Sequence, residues 1–395
     1  MKRITAFAII IITLLIPTVR NISANELNES DIRAMGAILM DAATGRVLWG
    51  KNERTQLAMA STTKIMTALV ALENGDPNSR VVASKRAAMA PKVHMGLSAG
   101  EEFRLGDLML ALMLESSNDA AVAIAEHIGG SVEDFCALMT WKAHSIGATD
   151  TAFETPSGLD SDNHYSTAYD MALITRYALN NPDFVKLINT RIATFSSSQR
   201  TYNFANKNRL LYEFDGANGV KTGFTGKAGQ CFVGACKRGD MQLISVVLAS
   251  GWGDAGREQK WRDTKAILGH GFDNFRYEQI VNERQEAGSI ILERSKTPYI
   301  DTALARGLNL PLSRHERESI VVDINMPRVM LAPVEEGQEV GSAKIFIMGE
   351  QVDEIPVLAS SGALRHDLKT SLEKVLDTWL EMGTNAEVNI VLPEF

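Results

Sequence analysis

The spacing of hydrophobic and polar positions predicts mixed α/β structure over the first 275 residues. An apolar run around Ile38, a turn at Gly45 and a second apolar run at 47–49 predict a β-hairpin within residues 33–50. Helical spacing follows, and the pattern then shifts to short β-prone runs bounded by glycine. The predicted helices span 61–73, two stretches within 105–128, 131–147, 166–180 and 254–272, and the predicted late strands span 220–224, 231–236 and 243–248. Late strands that join the first hairpin define an α/β (α+β) domain with an antiparallel sheet flanked by helices.

A change of pattern near residues 272–277 predicts a second, smaller domain. Glycine and proline separate short β-prone runs there, as expected for an all-β domain, over 289–293, 319–324, 329–331, 344–348 and 355–358. Helical spacing returns over 362–382, with one apolar side formed by Leu364, Leu368, Leu372, Val375, Leu376, Trp379 and Leu380. We therefore predict one domain over 25–275, a small β-rich domain over 276–361, and an amphipathic helix with a tail over 362–395.

The N-terminus predicts export. Lys2 and Arg3 precede an apolar run of 13 residues, 4–16, and a polar stretch then ends at the small residue Ala24. This arrangement is typical of a secretory signal peptide, predicted here for residues 1–24. A run of 13 residues is too short to span about 30 Å of hydrocarbon comfortably. The expected location is therefore extracytoplasmic, in the cell wall or at the outer face of the cytoplasmic membrane.

Composition and charge remove several classes of function. The chain has 395 residues, of which 45% are hydrophobic and 22% charged, so a folded core is expected rather than disorder. The formal net charge is −8 and no basic run marks a nucleic-acid surface, so we expect no nucleic acid partner. Cys136, Cys231 and Cys236 are odd in number and are predicted to be buried rather than bridged. No spacing of His, Cys and acidic residues fits a metal site, and we expect no metal and no other cofactor.

Three short motifs carry the candidate chemistry: Ser61-Thr62-Thr63-Lys64, Ser116-Ser117-Asn118 and Lys221-Thr222-Gly223. Each is weak by itself, since Ser-x-x-Lys recurs at Ser371 and Ser-x-Asn recurs at Ser161. The informative feature is their order and context. The first opens a predicted helix, the second lies between two helices, and the third lies on a late strand.

The first motif predicts a base beside a nucleophile. A serine hydroxyl is a poor nucleophile at neutral pH and needs a base to take its proton. Lys64 lies three residues after Ser61 in a helix expected to begin with a capping Ser or Thr, so both side chains share one helix face. Burial and a neighbouring cation, for which Lys221 is the candidate, would lower the Lys64 pKa and leave its amine neutral. A helix start also presents backbone N–H groups to the reacting carbonyl.

The ordered set resembles the serine β-lactamase/transpeptidase-like enzymes that recognise penicillin. Its surroundings resemble the D-alanyl-D-alanine carboxypeptidases, the low-molecular-weight penicillin-binding proteins, at 60–68, 156–159, 164–168, 219–225 and 332–334. The resemblance covers roughly residues 30–360. It implies a serine-type carboxypeptidase that removes the terminal D-alanine from peptidoglycan pentapeptides through an acyl-enzyme on Ser61. Met59 departs from the family, where proline is usual, which would loosen this loop and leave the chemistry intact.

The resemblance also implies roles for the remaining site residues. Ser116 would pass a proton to the leaving D-alanine, and Asn118 would hold the substrate amide. The backbone N–H groups of Ser61 and Phe224 would form the oxyanion hole. Thr222 is suited to bind the terminal carboxylate, with Arg257 preferred to Arg262 as the assisting cation. The substrate peptide would lie along an edge strand that contains Lys221, Thr222, Gly223 and Phe224.

The expected partners are peptidoglycan stem peptides, with β-lactams as covalent inhibitors. A β-lactamase shares the three motifs, but the Glu-x-x-Leu-Asn segment of class A enzymes is missing at the candidates Glu126, Glu133, Glu154 and Glu213. A catalytically silent wall-binding module is disfavoured by the intact motifs.

Two roles stay open. His164 would either line the site or make structural hydrogen bonds. The helix over 362–382 would either contact the membrane peripherally or dock on protein, because its acidic residues outnumber its basic ones.

Overall fold

The structure is a computed structural model that describes residues 27–366 and 368–384. The predicted signal peptide at 1–24 and the tail beyond residue 384 lie outside the described residues. Within the described part, no helix is both long enough and apolar enough to cross a bilayer.

A five-stranded antiparallel sheet forms the base of the first domain. The strands of this domain are β1 (Gly36–Asp41), β2 (Val47–Lys51), β3 (Arg80–Val82), β4 (Glu102–Arg104), β5 (Ile192–Ser196), β6 (Thr201–Ala205), β7 (Ala217–Thr225), β8 (Gly229–Arg238) and β9 (Met241–Leu248). The main sheet has the order β2-β1-β9-β8-β7, whereas β3 pairs with β4 and β5 pairs with β6. The late strands therefore join the first hairpin, and β7 is a terminal strand with one open edge.

Helices cover both faces of this sheet. They are α1 (Lys64–Asn74), α2 (Lys85–Ala88), α3 (Leu105–Leu114), α4 (Asn118–Gly129), α5 (Val132–Ser145), α6 (Ala168–Ala178), α7 (Pro182–Asn189), α8 (Leu210–Glu213) and α9 (Gly253–Asn274). Successive strand residues face opposite sides of a sheet. Cys231 accordingly packs in the core beneath α1 and α3–α7, whereas Cys236 packs with Trp261 of α9 on the other face. All three cysteines are free and buried. This arrangement confirms the predicted α/β fold.

The second domain is rich in β-structure. Its elements are β10 (Arg276–Val281), β11 (Glu286–Glu293), β12 (Tyr299–Leu304), β13 (Leu308–Leu312), α10 (Arg314–Glu318), β14 (Val321–Asn325), β15 (Val329–Leu331), β16 (Glu339–Ile347) and β17 (Glu350–Ala359). A six-stranded sheet has the order β14-β16-β17-β12-β11-β15, and β10 pairs with β13. Inward-facing residues such as Ile290, Ile345 and Ile355 form its own core.

Several predicted boundaries differ from the structure. β10, β12 and β13 were not predicted. β10 contains Arg276, Glu278 and Gln279, and β13 contains Pro311, so neither is a continuous β-prone run. Thr63 precedes α1 and makes no side-chain capping bond, so the predicted cap is wrong. The last helix, α11 (Leu368–Thr384), begins six residues later than position 362, because Ala363 and Arg365 form β-bridges to Val334 and Ser295.

The two domains contact each other through the turn between β1 and β2. Arg46 in this turn donates hydrogen bonds to the carbonyl of Pro311 and forms an ion pair with Glu316 of α10. The Tyr277 hydroxyl donates to Asp41 Oδ1 over 2.8 Å. This contact lies at the β2 side of the sheet, opposite the open edge at β7.

Replacing Arg46 with alanine should destabilise this junction. The Arg46 and Glu316 side chains are only 20% and 21% exposed, so the change leaves partly buried acceptors unpaired. We expect the free energy of unfolding to fall by about 1–3 kcal/mol in urea denaturation. Arg314→Ala is the control, since that ion pair with Glu318 is 66% and 64% exposed and should contribute less than about 0.5 kcal/mol. Equal losses in the two variants would contradict this account.

Candidate active site

Ser61 lies in a short 3-10 turn, Ala60–Thr63, that runs directly into α1. Met59, where the family usually has proline, is fully buried in front of this turn. Its carbonyl accepts hydrogen bonds from the Thr62 N–H at 3.3 Å and from the Thr62 hydroxyl at 2.6 Å. These bonds and the burial of Met59 anchor the turn in the absence of proline.

The Lys64 amine lies against the Ser61 hydroxyl. Lys64 Nζ is 2.8 Å from Ser61 Oγ, 2.8 Å from Asn118 Oδ1 and 2.6 Å from the carbonyl oxygen of Ser157. The whole lysine side chain is buried. A neutral amine can donate its two protons to Asn118 and Ser157, which leaves its lone pair directed at the Ser61 hydroxyl. The arrangement can therefore remove the serine proton.

The surroundings of Lys64 favour this neutral form. Burial is the main cause that holds the Lys64 pKa well below its usual value, and the nearby charge of Lys221 lowers it further. The carboxylate of Asp119 acts in the opposite direction. Asp119 is itself engaged by backbone N–H groups of residues 95–97. A buried lysine beside another cation loses its proton more readily, as expected from the cost of burying charge.

The second motif forms the connection between α3 and α4. Ser116 has a φ of 72°, an uncommon backbone conformation for a residue with a side chain. Asn118 begins α4, and its Oδ1 accepts from Lys64 while its Nδ2 donates to the carbonyl of Pro91 over 3.0 Å. Asn118 thus orients Lys64, a contact that the sequence did not predict. One Nδ2 proton stays available for a substrate carbonyl.

Lys221 extends from β7 into the buried part of the site. It is 2% exposed, and its Nζ donates to the carbonyl of Thr222 over 3.0 Å. Burial lowers the Lys221 pKa to about 7, and the charges of Lys260 and Lys207 contribute.

Gly223 allows β7 to approach the turn that carries Ser61, Ala60–Thr63. A Cβ at this position would lie 2.9 Å from the backbone nitrogen of Ser61 and 3.1 Å from that of Thr62. Such contacts are too short for real side chains, so only glycine fits without a shift. Phe224 follows, with its side chain 51% exposed. The close approach brings the N–H of Ser61 next to the strand that carries Phe224, as an oxyanion hole requires.

The side chain of Arg257 is exposed and paired with a neighbouring carboxylate on its own helix. Arg257 lies near the start of α9, is 67% exposed at its side chain and pairs with Asp254 at 3.6 Å. Lys260, about one helical turn later, is buried and donates to Gln230 Oε1 over 2.6 Å. Lys260 is also the leading charge that acts on Lys221. The role of Arg257 stays a prediction.

Sequence reasoning missed one group, the carbonyl of Ser157. Gly158, with a φ of 84°, brings this segment against the turn that carries Ser61, and a Cβ there would lie 1.9 Å from the Ala60 carbonyl oxygen. A backbone acceptor has no side-chain signature, and only the match at 156–159 could have pointed to it. His164 lies behind this segment and contacts Thr63 Oγ1 at 2.9 Å, so it makes structural hydrogen bonds.

The site as a whole has the parts of an acyl-transferring serine enzyme. A buried lysine with a lowered pKa lies beside a serine hydroxyl, and backbone N–H groups lie at the start of a helix and on a strand edge. Within the part of the chain that the structure describes, no group of three or more His, Cys, Asp or Glu is placed to hold a metal ion.

Comparison with known proteins identifies the family. The family model described as D-alanyl-D-alanine carboxypeptidase matches residues 23–251, and the model of the penicillin-binding protein 5 C-terminal domain matches residues 275–362. The chain therefore belongs to the D-alanyl-D-alanine carboxypeptidase family, and it is a serine-type carboxypeptidase of the penicillin-binding class. This confirms the resemblance seen in its motifs.

Relatives and solved structures cover most of the chain. D-alanyl-D-alanine carboxypeptidase DacF of Bacillus subtilis is 31% identical over 353 residues, 88% of this chain and 90% of the relative. D-alanyl-D-alanine carboxypeptidase DacC of Escherichia coli is 29% identical over 350 residues, which are 84% of this chain and 84% of the relative. The crystal structure of penicillin-binding protein 5 from Haemophilus influenzae superposes on this chain with a TM-score of 0.72 at 26% identity. The superposition covers 86% of this chain and 100% of that structure.

A methyl group at Gly223 should slow acylation strongly. In Gly223→Ala the added Cβ would crowd the Ser61 N–H, so the rate of labelling by a fluorescent penicillin should fall roughly 100-fold. Gly226→Ala is the matched control, because a Cβ there meets nothing within 4 Å. Time-resolved gel fluorescence measures both rates. Unchanged labelling of Gly223→Ala would show that the strand does not approach Ser61 as described.

Proposed function

We propose that this chain removes the C-terminal D-alanine from wall peptides ending in D-Ala-D-Ala, with Ser61 as nucleophile and Lys64 as base. One observation carries the assignment of roles: the buried Lys64 Nζ lies 2.8 Å from Ser61 Oγ, with its pKa lowered. The assignment is also supported by family membership, since these enzymes act on peptides of this kind.

Acylation begins with transfer of the Ser61 proton to Lys64. The oxygen then attacks the carbonyl of the penultimate D-alanine, and the N–H groups of Ser61 and Phe224 stabilise the oxyanion. The C–N bond breaks as Ser116 relays the proton held by Lys64 to the leaving amine of the last D-alanine, which leaves Lys64 neutral. Lys64 then takes a proton from a water molecule, whose oxygen attacks the ester carbonyl. The bond to Ser61 Oγ breaks, Lys64 returns its proton to that oxygen, and the shortened peptide leaves with a free carboxylate.

The open edge of β7 supports the proposed binding mode of the peptide. An extended substrate can add to this edge as a further strand, with main-chain hydrogen bonds that set its register. Its terminal carboxylate would meet the Thr222 hydroxyl and the positive charge of Lys221, with Arg257 as the outer cation. The free Nδ2 proton of Asn118 would bind the amide carbonyl of the substrate. β-Lactams would acylate Ser61 in the same geometry.

Removal of either reacting group should abolish the reaction. Ser61→Ala should give no benzylpenicillin adduct in intact-mass analysis and no D-alanine from a D-Ala-D-Ala peptide. Lys64→Ala should lower both by at least roughly 100-fold, because the hydroxyl loses its base. Ser360→Ala, an exposed serine of the small domain, is the control and should behave as the wild type. A D-Ala-releasing Ser61→Ala variant, or rapid nitrocefin hydrolysis without D-alanine release by the wild type, would overturn the proposal.

We further propose that the enzyme works outside the cytoplasm and contacts the membrane peripherally through α11. The N-terminal pattern and the wall substrate support export. On α11 the apolar side chains Leu372, Leu376 and Trp379 are 55%, 59% and 77% exposed. An apolar helix face of this kind favours insertion at the boundary between headgroups and acyl chains.

Loss of apolar surface on α11 should therefore release the protein from lipid. Leu376→Asp should lower co-sedimentation with phosphatidylglycerol–phosphatidylcholine vesicles by roughly tenfold, because one buried leucine contributes about 1.5–3 kcal/mol. Lys369→Gln changes the net charge by the same amount on a solvent-exposed polar side chain and serves as control. Equal loss in both variants, or a wild type that dimerises and leaves vesicles unbound, would contradict membrane contact and favour docking on protein.

A further inference from the structure

Residues 154–164, called the strap here, run across the active site from the helical side to the sheet side. Near its start, Thr67 of α1 donates a hydrogen bond to the Pro156 carbonyl over 2.6 Å. The next carbonyl, that of Ser157, accepts from Lys64 Nζ at 2.6 Å and from Ser61 Oγ at 3.4 Å. The strap thus orients the lysine amine together with Asn118.

His164 anchors the strap on the helical side. It is 3% exposed, and its Nδ1 accepts from the N–H of Glu154 at 3.1 Å, so the ring proton lies on Nε2. Nε2 then donates to Thr63 Oγ1 over 2.9 Å. Burial lowers the His164 pKa to about 4, a shift that Glu154 and Asp160 oppose and that Lys227 and Lys64 reinforce. The ring stays neutral, and this hydrogen-bond pattern persists across the neutral range.

Asp160 anchors the strap on the sheet side. The Thr225 hydroxyl donates to Asp160 Oδ1 over 2.7 Å, and the Lys227 N–H lies 3.4 Å from Oδ2. The Thr225 hydroxyl also accepts from the Ala228 N–H over 3.0 Å, which closes the turn after β7. Thr225 directly follows Phe224, so the carboxylate holds the end of the strand that carries the oxyanion-hole N–H.

We infer that the strap couples the two halves of the site, and that His164 and Asp160 are its positioning residues. His164 keeps the Ser157 carbonyl against Lys64, and Asp160 keeps the Phe224 N–H in place. Neither residue touches the reacting atoms. The inference rests on the proposed roles of Ser61, Lys64 and Phe224.

The two anchors should fail in different ways. In His164→Ala the strap is free to move away from Lys64, whose charged neighbours are Lys221 and Asp119. The amine is then less buried, and its pKa rises toward the ordinary lysine value. Acylation needs the neutral amine, so the rising limb of the pH–rate profile should move to higher pH. The rate at pH 7 should fall roughly 10- to 100-fold. His164→Gln keeps a neutral donor and acceptor and should restore most of the rate, whereas His127→Ala, an exposed histidine, should change nothing.

In Asp160→Ala the oxyanion strand loosens while Lys64 stays in place. The acylation rate should fall by about tenfold at every pH, with the profile unshifted. Asp160→Asn keeps an Oδ1 acceptor for Thr225 and should recover most of the rate. A fluorescent penicillin, stopped-flow mixing between pH 5 and 10, and thermal denaturation of each variant provide the measurements.

The outcomes separate the inference from the proposed function. Wild-type rates in both alanine variants would overturn the inference, as would parallel losses of rate and thermal stability with unshifted profiles. A wild type that forms no adduct on Ser61 would instead overturn the proposed function itself. A shifted profile in His164→Ala only, with recovery in Asp160→Asn, would support the strap as described.

Discussion

The site depends on the burial of Lys64 beside Ser61. A lysine in water keeps its proton at neutral pH and cannot act as a base. Here the side chain is enclosed by α1, α4 and residues 154–164, so the charged form is disfavoured and the three polar contacts of Nζ are all supplied by the protein. Burying the Lys64 amine is unfavourable by itself, and the packing of the surrounding core offsets this free energy.

A second constraint is the close approach of β7 to the turn that carries Ser61. The helical layer holds Ser61, whereas the sheet edge holds Phe224, and only a residue without a side chain at 223 lets them meet. This contact forms only when the sheet and the helices pack at a fixed separation. The extensive core on the same face of the sheet sets that separation. The small domain contacts the far side of the sheet and leaves the β7 edge open.

The local spacing of apolar and polar residues was enough to predict most helices and strands of the first domain and the pairing of Ser61 with Lys64. Helical spacing correctly predicted α1, α3–α6 and α9, and short apolar, β-prone runs bounded by turns correctly predicted β1, β2 and β7–β9. The pairing of Ser61 and Lys64 follows from three-residue spacing in a helical turn, which needs no knowledge of distant segments. The start of α11 was misplaced, because the bridges of Ala363 and Arg365 to strands far away in sequence override the local helical pattern.

By itself the sequence determined the fold class, the family and the pairing of Ser61 with Lys64, because each leaves a local signature in residue type and spacing. Only the tertiary structure decided that Asn118 and the Ser157 carbonyl orient Lys64, that Arg257 faces solvent while Lys260 lies buried, and that His164 supports Thr63. These contacts join residues distant in the chain, and one uses a backbone oxygen that every residue carries. Such contacts form when the helices and the sheet pack, so no local pattern encodes them.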